Sequence, residues 1–395
     1  MSATGTTSAI PGDRASWATI KSLVRIDHAK NDLLFDCDGG SLIDMFSGNG
    51  TVWLGHANPG IAGRVADQLG KIWISGGLET QVHIAALAAV ERFFPDNYKV
   101  AGLYSTGMEA SEFALRVARV ATGKAGVVGF ENSMHGKSLA TAFLGWDNRD
   151  KVLLPQFHRL PFVSTHKEED ILDRLASVLR SKSVGAVFIE PVQGSGGGYS
   201  ASGGFYRKVA EQCRRAGALL VFDEILTGFY RTGALFCFSA LGVTPDIALL
   251  GKAMGNGFPV SGVVVDRRHT IVASMLPGST YAGNPLASAA ICATLDELDR
   301  VGIADRVASI EATIKKALAP LPESGVPVRG RGALWIIELA SGDDAHRLAL
   351  QLFNRGVFVS YAGRYLRLLP AATAELENLA SACAIVQEVL VEDRA

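Results

Sequence analysis

Two apolar runs that end in opposite charges constrain this chain more than any other feature. Ala218-Leu219-Leu220-Val221-Phe222 is unbroken and closes on the carboxylates Asp223 and Glu224. The run lacks the alternation of a half-exposed strand, so it predicts a strand covered on both faces, as in a parallel sheet flanked by helices. Ile247-Ala248-Leu249-Leu250 repeats the pattern and closes on Gly251-Lys252, with Gly255-Asn256-Gly257 following as a flexible loop. Open α/β sheets bind ligands beyond the carboxyl ends of their strands. An acid and an amine at two such ends predict one site, although charges there also serve as solvated terminators or structural ion pairs.

The text around these poles is specific. Phe222-Asp223-Glu224-Ile225-Leu226-Thr227-Gly228 and Pro245-Asp246-Ile247-Ala248-Leu249-Leu250-Gly251-Lys252 resemble the class III (ω-type) aminotransferases, pyridoxal-phosphate enzymes of fold type I. The resemblance implies an α/β fold, with a mostly parallel seven-stranded sheet in a large domain and a smaller α+β domain. It also implies pyridoxal 5'-phosphate as cofactor, Asp223 on its protonated ring nitrogen, and Lys252 joined to it as a Schiff base. A carboxylate at the ring nitrogen keeps the ring an electron sink for the carbanion formed at the substrate Cα. A lysine displaced by the incoming amine is then free to carry the proton.

Further blocks follow in the same order. Ser105-Thr106-Gly107-Met108-Glu109-Ala110 opens a predicted helix whose apolar positions Ala110, Phe113, Val117 and Val120 fall on one face. A Ser-Thr-Gly turn there is a good N-cap, and the free N–H groups of a helix start also suit a phosphate. The block resembles the family's N-[ST]-G-x-E-A, departing at Ser105, which implies a phosphate site. Ser133-Met134-His135-Gly136 resembles S-Y-H-G, with Met134 where an aromatic ring normally stacks on the cofactor; a thioether can pack on the same face. The resemblance makes His135 a loop-shaping residue beside the cofactor. It also places Glu190, from Glu190-Pro191-Val192-Gln193, and Ile225 around the cofactor, with Leu226 replacing a common Gln. Ser279-Thr280-Tyr281-Ala282-Gly283-Asn284-Pro285 resembles S-T-x-x-G-N-P, which implies a homodimer in which Thr280 reaches the neighbour's phosphate.

On the substrate side, Leu54-Gly55-His56-Ala57-Asn58-Pro59 resembles L-G-H-x-x-P, and the preceding Trp53 is either a core aromatic or a wall of the substrate pocket. Arg367-Leu368-Leu369-Pro370 resembles R-x-x-P, which implies that Arg367 binds the substrate carboxylate; Arg329 and Arg331 are taken as structural. Ser195 stands where relatives acting on ornithine or γ-aminobutyrate carry a Glu that pairs with that Arg. Without it, Arg367 must swing toward solvent or find another acid whenever an uncharged substrate end enters. The expectation is a 2-oxo acid bound through Arg367 and a bulkier amine held by apolar walls such as Trp53.

With 395 residues and 48% hydrophobic content the chain has room for two domains. The resemblance divides it into a loose tail at 1–15, a segment at 16–50 packing with the small domain, a large cofactor-binding domain at 51–285 and a small domain at 286–395. Basic and acidic residues nearly cancel, 38 against 39, so no net field favours nucleic acid or an anionic membrane. The five cysteines are scattered without metal-ligand spacing, which predicts reduced thiols, no metal site and a cytoplasmic protein. Met1 to Arg14 lack the pattern of a signal peptide, and no apolar run is long enough to span a bilayer. The leading expectation is an aminotransferase acting between an amine or amino acid and a 2-oxo acid, aldehyde or ketone. A class III aminomutase, racemase or decarboxylase, and a non-catalytic relative of the same fold, stay open as alternatives.

Overall fold

The computed structural model describes residues 25–146, 154–270, 275 and 278–393; the expected tail at 1–15 and the start of the 16–50 segment lie outside these. The chain is built around a seven-stranded sheet in the order Tyr98–Tyr104, Ser261–Asp266, Ile247–Gly251, Leu219–Asp223, Val184–Ile189, Gly126–Phe130, Phe157–Leu160. Both charged-end runs are central strands in which every residue is buried, as unbroken apolar runs require. They pair in parallel, with Asp223 opposite Leu249, so Asp223 and Lys252 emerge at the same edge. Ser261–Asp266 runs antiparallel to both of its neighbours, while the other pairings are parallel. The connection 252–260 is too short for the crossover that a parallel strand needs, so the chain must reverse there.

Helices cover the sheet on both faces. Gly107–Thr122 starts on a capping box, Thr106 with Glu109, and stops at Gly123 in the left-handed conformation. Its buried residues include Ala110, Ala114, Leu115, Val117 and Ala118. Val120, expected on the same face, is 52% exposed. The step from Val117 to Val120 falls short of a full turn, which carries Val120 away from the face centred on Ala114 and Ala118. A further helix spans Gly203–Ala216, capped by Ser202.

Leu33–Asp36 and Ser41–Asp44 form a hairpin around an Asp-Gly-Gly turn, preceded by Ile26–Lys30. Ser41–Asp44 also pairs in parallel with Val357–Phe358, joining the beginning of the described chain to its far end. Beyond Pro285–Val301, capped by Asn284, lies a third sheet, antiparallel, of Val328–Arg331, Leu334–Glu338, Tyr365–Leu368 and Ser360–Ala362. Among the described residues, no helix is long and apolar enough to cross a membrane, and no cluster of His, Cys, Asp or Glu is arranged to hold a metal.

Candidate active site

Asp223 ends its strand with a buried carboxylate held from two sides. His135 Nδ1 donates to Oδ2 at 2.8 Å, and the Ile225 amide donates to Oδ1 at 3.1 Å. His135 is itself buried, and its Nε2 has no partner. The expectation of a loop-shaping residue leaves out this contact: His135 orients the acid directly. Lys252 opens a short 3₁₀ turn with φ of 42°, a left-handed conformation that a long side chain adopts only where its surroundings impose it. Asn256 ties the lysine loop down, accepting from the Leu54 amide at 2.6 Å and donating to the Gly55 carbonyl at 3.0 Å.

The charges around Lys252 oppose one another. It keeps some accessible surface, yet desolvation of its amine is the leading influence and lowers it from the usual lysine value. Asp223 and Glu190 pull it back up, while Arg367 and Arg231 push it further down. Burial raises the Glu190 carboxyl to about 7, against the opposing pull of His135 and the Met134 amide, which donates to Oε1 at 2.6 Å. The result is an amine shifted toward its neutral, nucleophilic form beside a Glu190 carboxyl raised to about 7.

Next to this pair lies a helix start with free donors. Ser105 and Thr106 direct their amides to Glu109 Oε2, at 3.1 and 2.8 Å, and the Thr106 hydroxyl lies in the capping box. Those two amides are therefore engaged, and the Gly107 and Met108 amides are left for an anion. Ile225 packs between this turn and the lysine strand: a Cβ on Gly107 would lie 2.8 Å from Ile225 Cδ1, and one on Gly251 would lie 3.2 Å from its Cγ2. A Cβ on Gly136 would meet Met108, so the loop carrying Met134 and His135 closes the same space. Thr280 is exposed beside Ser279, whose hydroxyl donates to Glu109 Oε1 at 3.4 Å.

Arg367 is met by neutral oxygens. It is 6% exposed, and no carboxylate pairs with it among the described residues. Nη1 donates to Ser195 Oγ at 3.2 Å, Nη2 donates to Asn49 Oδ1 at 2.9 Å, and Nε is unpartnered. Burial lowers the guanidinium to about 10, which leaves it charged at neutral pH. Asn49 belongs to Ser47–Gly50, whose φ angles of 47°, 57°, 63° and 76° make a left-handed turn. Ser-Gly-Asn-Gly is the composition such a turn tolerates, and that was the available sequence signal.

Trp53 is a core residue. It has no exposed surface, its Nε1 donates to the Phe229 carbonyl at 2.8 Å, and the Arg231 guanidinium lies 3.8 Å from its ring centroid. It therefore offers no wall to a substrate. Arg231 is equally buried and donates to the carbonyls of Gly50, Pro370 and Ala333. Arg329 stacks on Tyr199 and pairs with Glu338, in keeping with a structural role.

Comparison with known proteins bears on the chemistry. The family model described as "Aminotransferase class-III" matches residues 16–390. A 2-aminoadipate transaminase of Pseudomonas putida is 33% identical, over 93% of this chain and 96% of the relative. The 5-aminovalerate aminotransferase DavT of Pseudomonas aeruginosa is 30% identical, over 93% of each. Among solved structures, a transaminase from the marine bacterium Virgibacillus superposes with a TM-score of 0.87 at 21% identity, over 94% of this chain and 93% of that one, a likeness of fold.

Proposed function

The chain belongs to the class III aminotransferases, and from that premise we propose that it moves amino groups between carboxylate-bearing donors and 2-oxo acids, with pyridoxal 5'-phosphate held at Lys252 and Asp223. The observation that carries this reading is the convergence of Asp223, Lys252 and the free amides of Gly107 and Met108 around Ile225. A buried carboxylate, an amine biased toward neutrality, an unpartnered His135 Nε2 and an anion-ready helix start fit the ring, aldehyde and phosphate of that cofactor.

When bound, the cofactor supplies an electrophilic aldehyde and an electron-withdrawing ring. The Asp223 carboxylate, fixed by His135 and the Ile225 amide, places negative charge where a ring nitrogen must stay protonated. Lys252 Nζ, available as the free amine, would hold the cofactor through its aldehyde and would carry the proton released at the substrate Cα. Glu190 braces the Met134 amide, and Met134 with Ile225 would flank the ring. The Gly107 and Met108 amides would bind its phosphate, and Arg367 would orient the substrate carboxylate.

The substrate class rests on Arg367. An amine without a carboxylate would leave a buried guanidinium facing only Ser195 and Asn49, which is costly. Both half-reactions therefore use carboxylate-bearing molecules, which revises the expectation of a bulky amine on apolar walls. The relatives named for 2-aminoadipate and 5-aminovalerate, both amino acids, support this.

Thr280 serves the site of a second subunit, and the exposed Ile72, Trp73, Leu78 and Tyr281 support an apolar dimer face. Sedimentation at assay concentration tests this, since a fully active monomer is incompatible with it. The same reading divides the chain at 50 and 285, and the pairing of Ser41–Asp44 with Val357–Phe358 supports packing of the N-terminal segment on the small domain. Unpaired Cys37, Cys213, Cys237, Cys292 and Cys383 support a reducing, cytoplasmic setting.

The experiment combines borohydride reduction with product analysis. A pyridoxyl group should be found on Lys252 by mass spectrometry, and 2-oxoglutarate should become glutamate in a 1:1 ratio with donor consumed. Trapping on another lysine, or donor turnover that leaves the oxo acid untouched, would overturn the proposal.

A further inference from the structure

We infer that Asn49 is the specificity-setting partner of Arg367: the left-handed turn holds its amide oxygen against the guanidinium, directing the charge without neutralising it, so the clamp accepts carboxylates and rejects uncharged ends. This deepens the reading of Arg367 as the carboxylate site and rests on it.

The turn is built to hold that oxygen still. Asp44 Oδ1 accepts from the Phe46 and Ser47 amides at 2.8 and 2.9 Å, and Asp44 Oδ2 meets His56 Nε2 at 2.8 Å. At the other end of the turn, the Gly50 carbonyl accepts from Arg231 Nη2 at 2.9 Å. Between these anchors the backbone sits at φ of 63° for Asn49, a conformation that asparagine tolerates better than most side chains. Its side chain reaches Arg367 Nη2 across 318 positions of sequence, while Ser195 Oγ takes Nη1.

Both partners are neutral oxygens, and this decides the specificity. A carboxylate at either position would form an internal ion pair and compete with a bound carboxylate. An amide oxygen engages one N–H and leaves the net charge in place. Of the five N–H groups a guanidinium carries, the buried Nε–H has no partner, so a two-pronged carboxylate finds an unspent donor beside the Nη groups. Asn49 itself is exposed, which leaves the clamp accessible to a solute on that side.

The test uses the holoenzyme and two substitutions. Asn49→Gly keeps the left-handed backbone and removes the oxygen. Asn49→Asp keeps the shape and adds a charge. Glutarate, which has no amino or oxo group to react, is titrated by calorimetry alongside steady-state kinetics with 2-oxoglutarate and with n-pentylamine. In Asn49→Gly the glutarate Kd rises roughly tenfold or more, the size expected for losing a hydrogen bond to a charged group, and the loss with 2-oxoglutarate appears in KM more than in kcat. Asn49→Asp weakens glutarate at least as much and improves use of n-pentylamine, an opposite movement that general loosening of the turn does not produce. Wild-type glutarate affinity in both variants overturns the inference, as does a parallel loss for both substrates in Asn49→Asp. Arg367→Ala separates the two levels: if it leaves glutarate binding unchanged, the carboxylate site itself is misassigned, whereas loss there with unchanged Asn49 variants rejects Asn49 alone.

Discussion

Arg367 Nη1 lies 3.2 Å from the Ser195 hydroxyl oxygen, so a single added carboxylate at position 195 would stand against the guanidinium. Ser195→Glu should therefore create an internal pair that an incoming carboxylate must displace. KM for 2-oxoglutarate should rise about tenfold, equivalent to about 1.4 kcal/mol, and turnover of n-pentylamine should improve. Steady-state kinetics on both substrates check this; a variant with unchanged preference would place the clamp elsewhere.

Asp223 is expected to act on rate rather than on affinity. Asp223→Asn removes the charge while keeping an oxygen toward the Ile225 amide, and the single-turnover rate of Cα–H cleavage should fall by roughly 10² to 10³, the range for a preorganised electrostatic group. Stopped-flow traces with α-deuterated donor report that step. A rise in KM alone, with the isotope-sensitive rate intact, would remove Asp223 from the chemistry.

Trp53 should behave as a core residue. Trp53→Phe loses the bond to the Phe229 carbonyl and weakens the stack on Arg231, which should cost about 1 to 3 kcal/mol of stability. Urea unfolding measures the cost. If KM shifted while stability held, the indole would have to line the pocket after all.

The pH dependence of stability can be assigned in part to Glu224. Burial raises its carboxyl from 4.5 to about 7, against the opposing bonds from the Thr227 hydroxyl and the Phe238 amide. Between those values the folded chain keeps a proton that the unfolded chain has released. The stabilising contribution is thus full below 4.5 and is lost as pH rises through about 7. Glu190 acts in the same direction. Glu224→Gln should therefore reduce, without abolishing, the loss of unfolding free energy between about pH 5 and pH 8, by on the order of 1 to 3 kcal/mol. An unchanged slope would mean that the carboxyl is already ionised in the fold.

The sequence made some of this legible and hid the rest for physical reasons. Unbroken apolar runs announced Leu219–Asp223 and Ile247–Gly251 because burial on both faces suppresses alternation. The N-cap at Thr106 is readable because a cap and the amide it serves lie three residues apart. Asn49 and Arg367 are 318 residues apart, and Trp53 and Phe229 are 176, so no local pattern could pair them. The position of Trp53 is compatible with a core aromatic or a pocket wall, and the guanidinium on its face comes from a distant loop that no local pattern reveals. The motif around His135 carries no sign of its bond to Asp223, which depends on two strand ends meeting.

The turn Ser47–Gly50 also limits how this pocket can diverge. Gly50 accepts from Arg231 inside the core, and the adjacent Asn49 accepts from Arg367 in the clamp. A Cβ at Gly50 would come within 3.0 Å of Leu226 and 3.4 Å of Arg231 Nη2, so even an alanine there disturbs the core cation. Lineages that adopt a new substrate, or a designer seeking one, are thus steered to positions such as Ser195, where a change reaches one arginine. Remodelling the turn itself would require core and pocket to be rebuilt together.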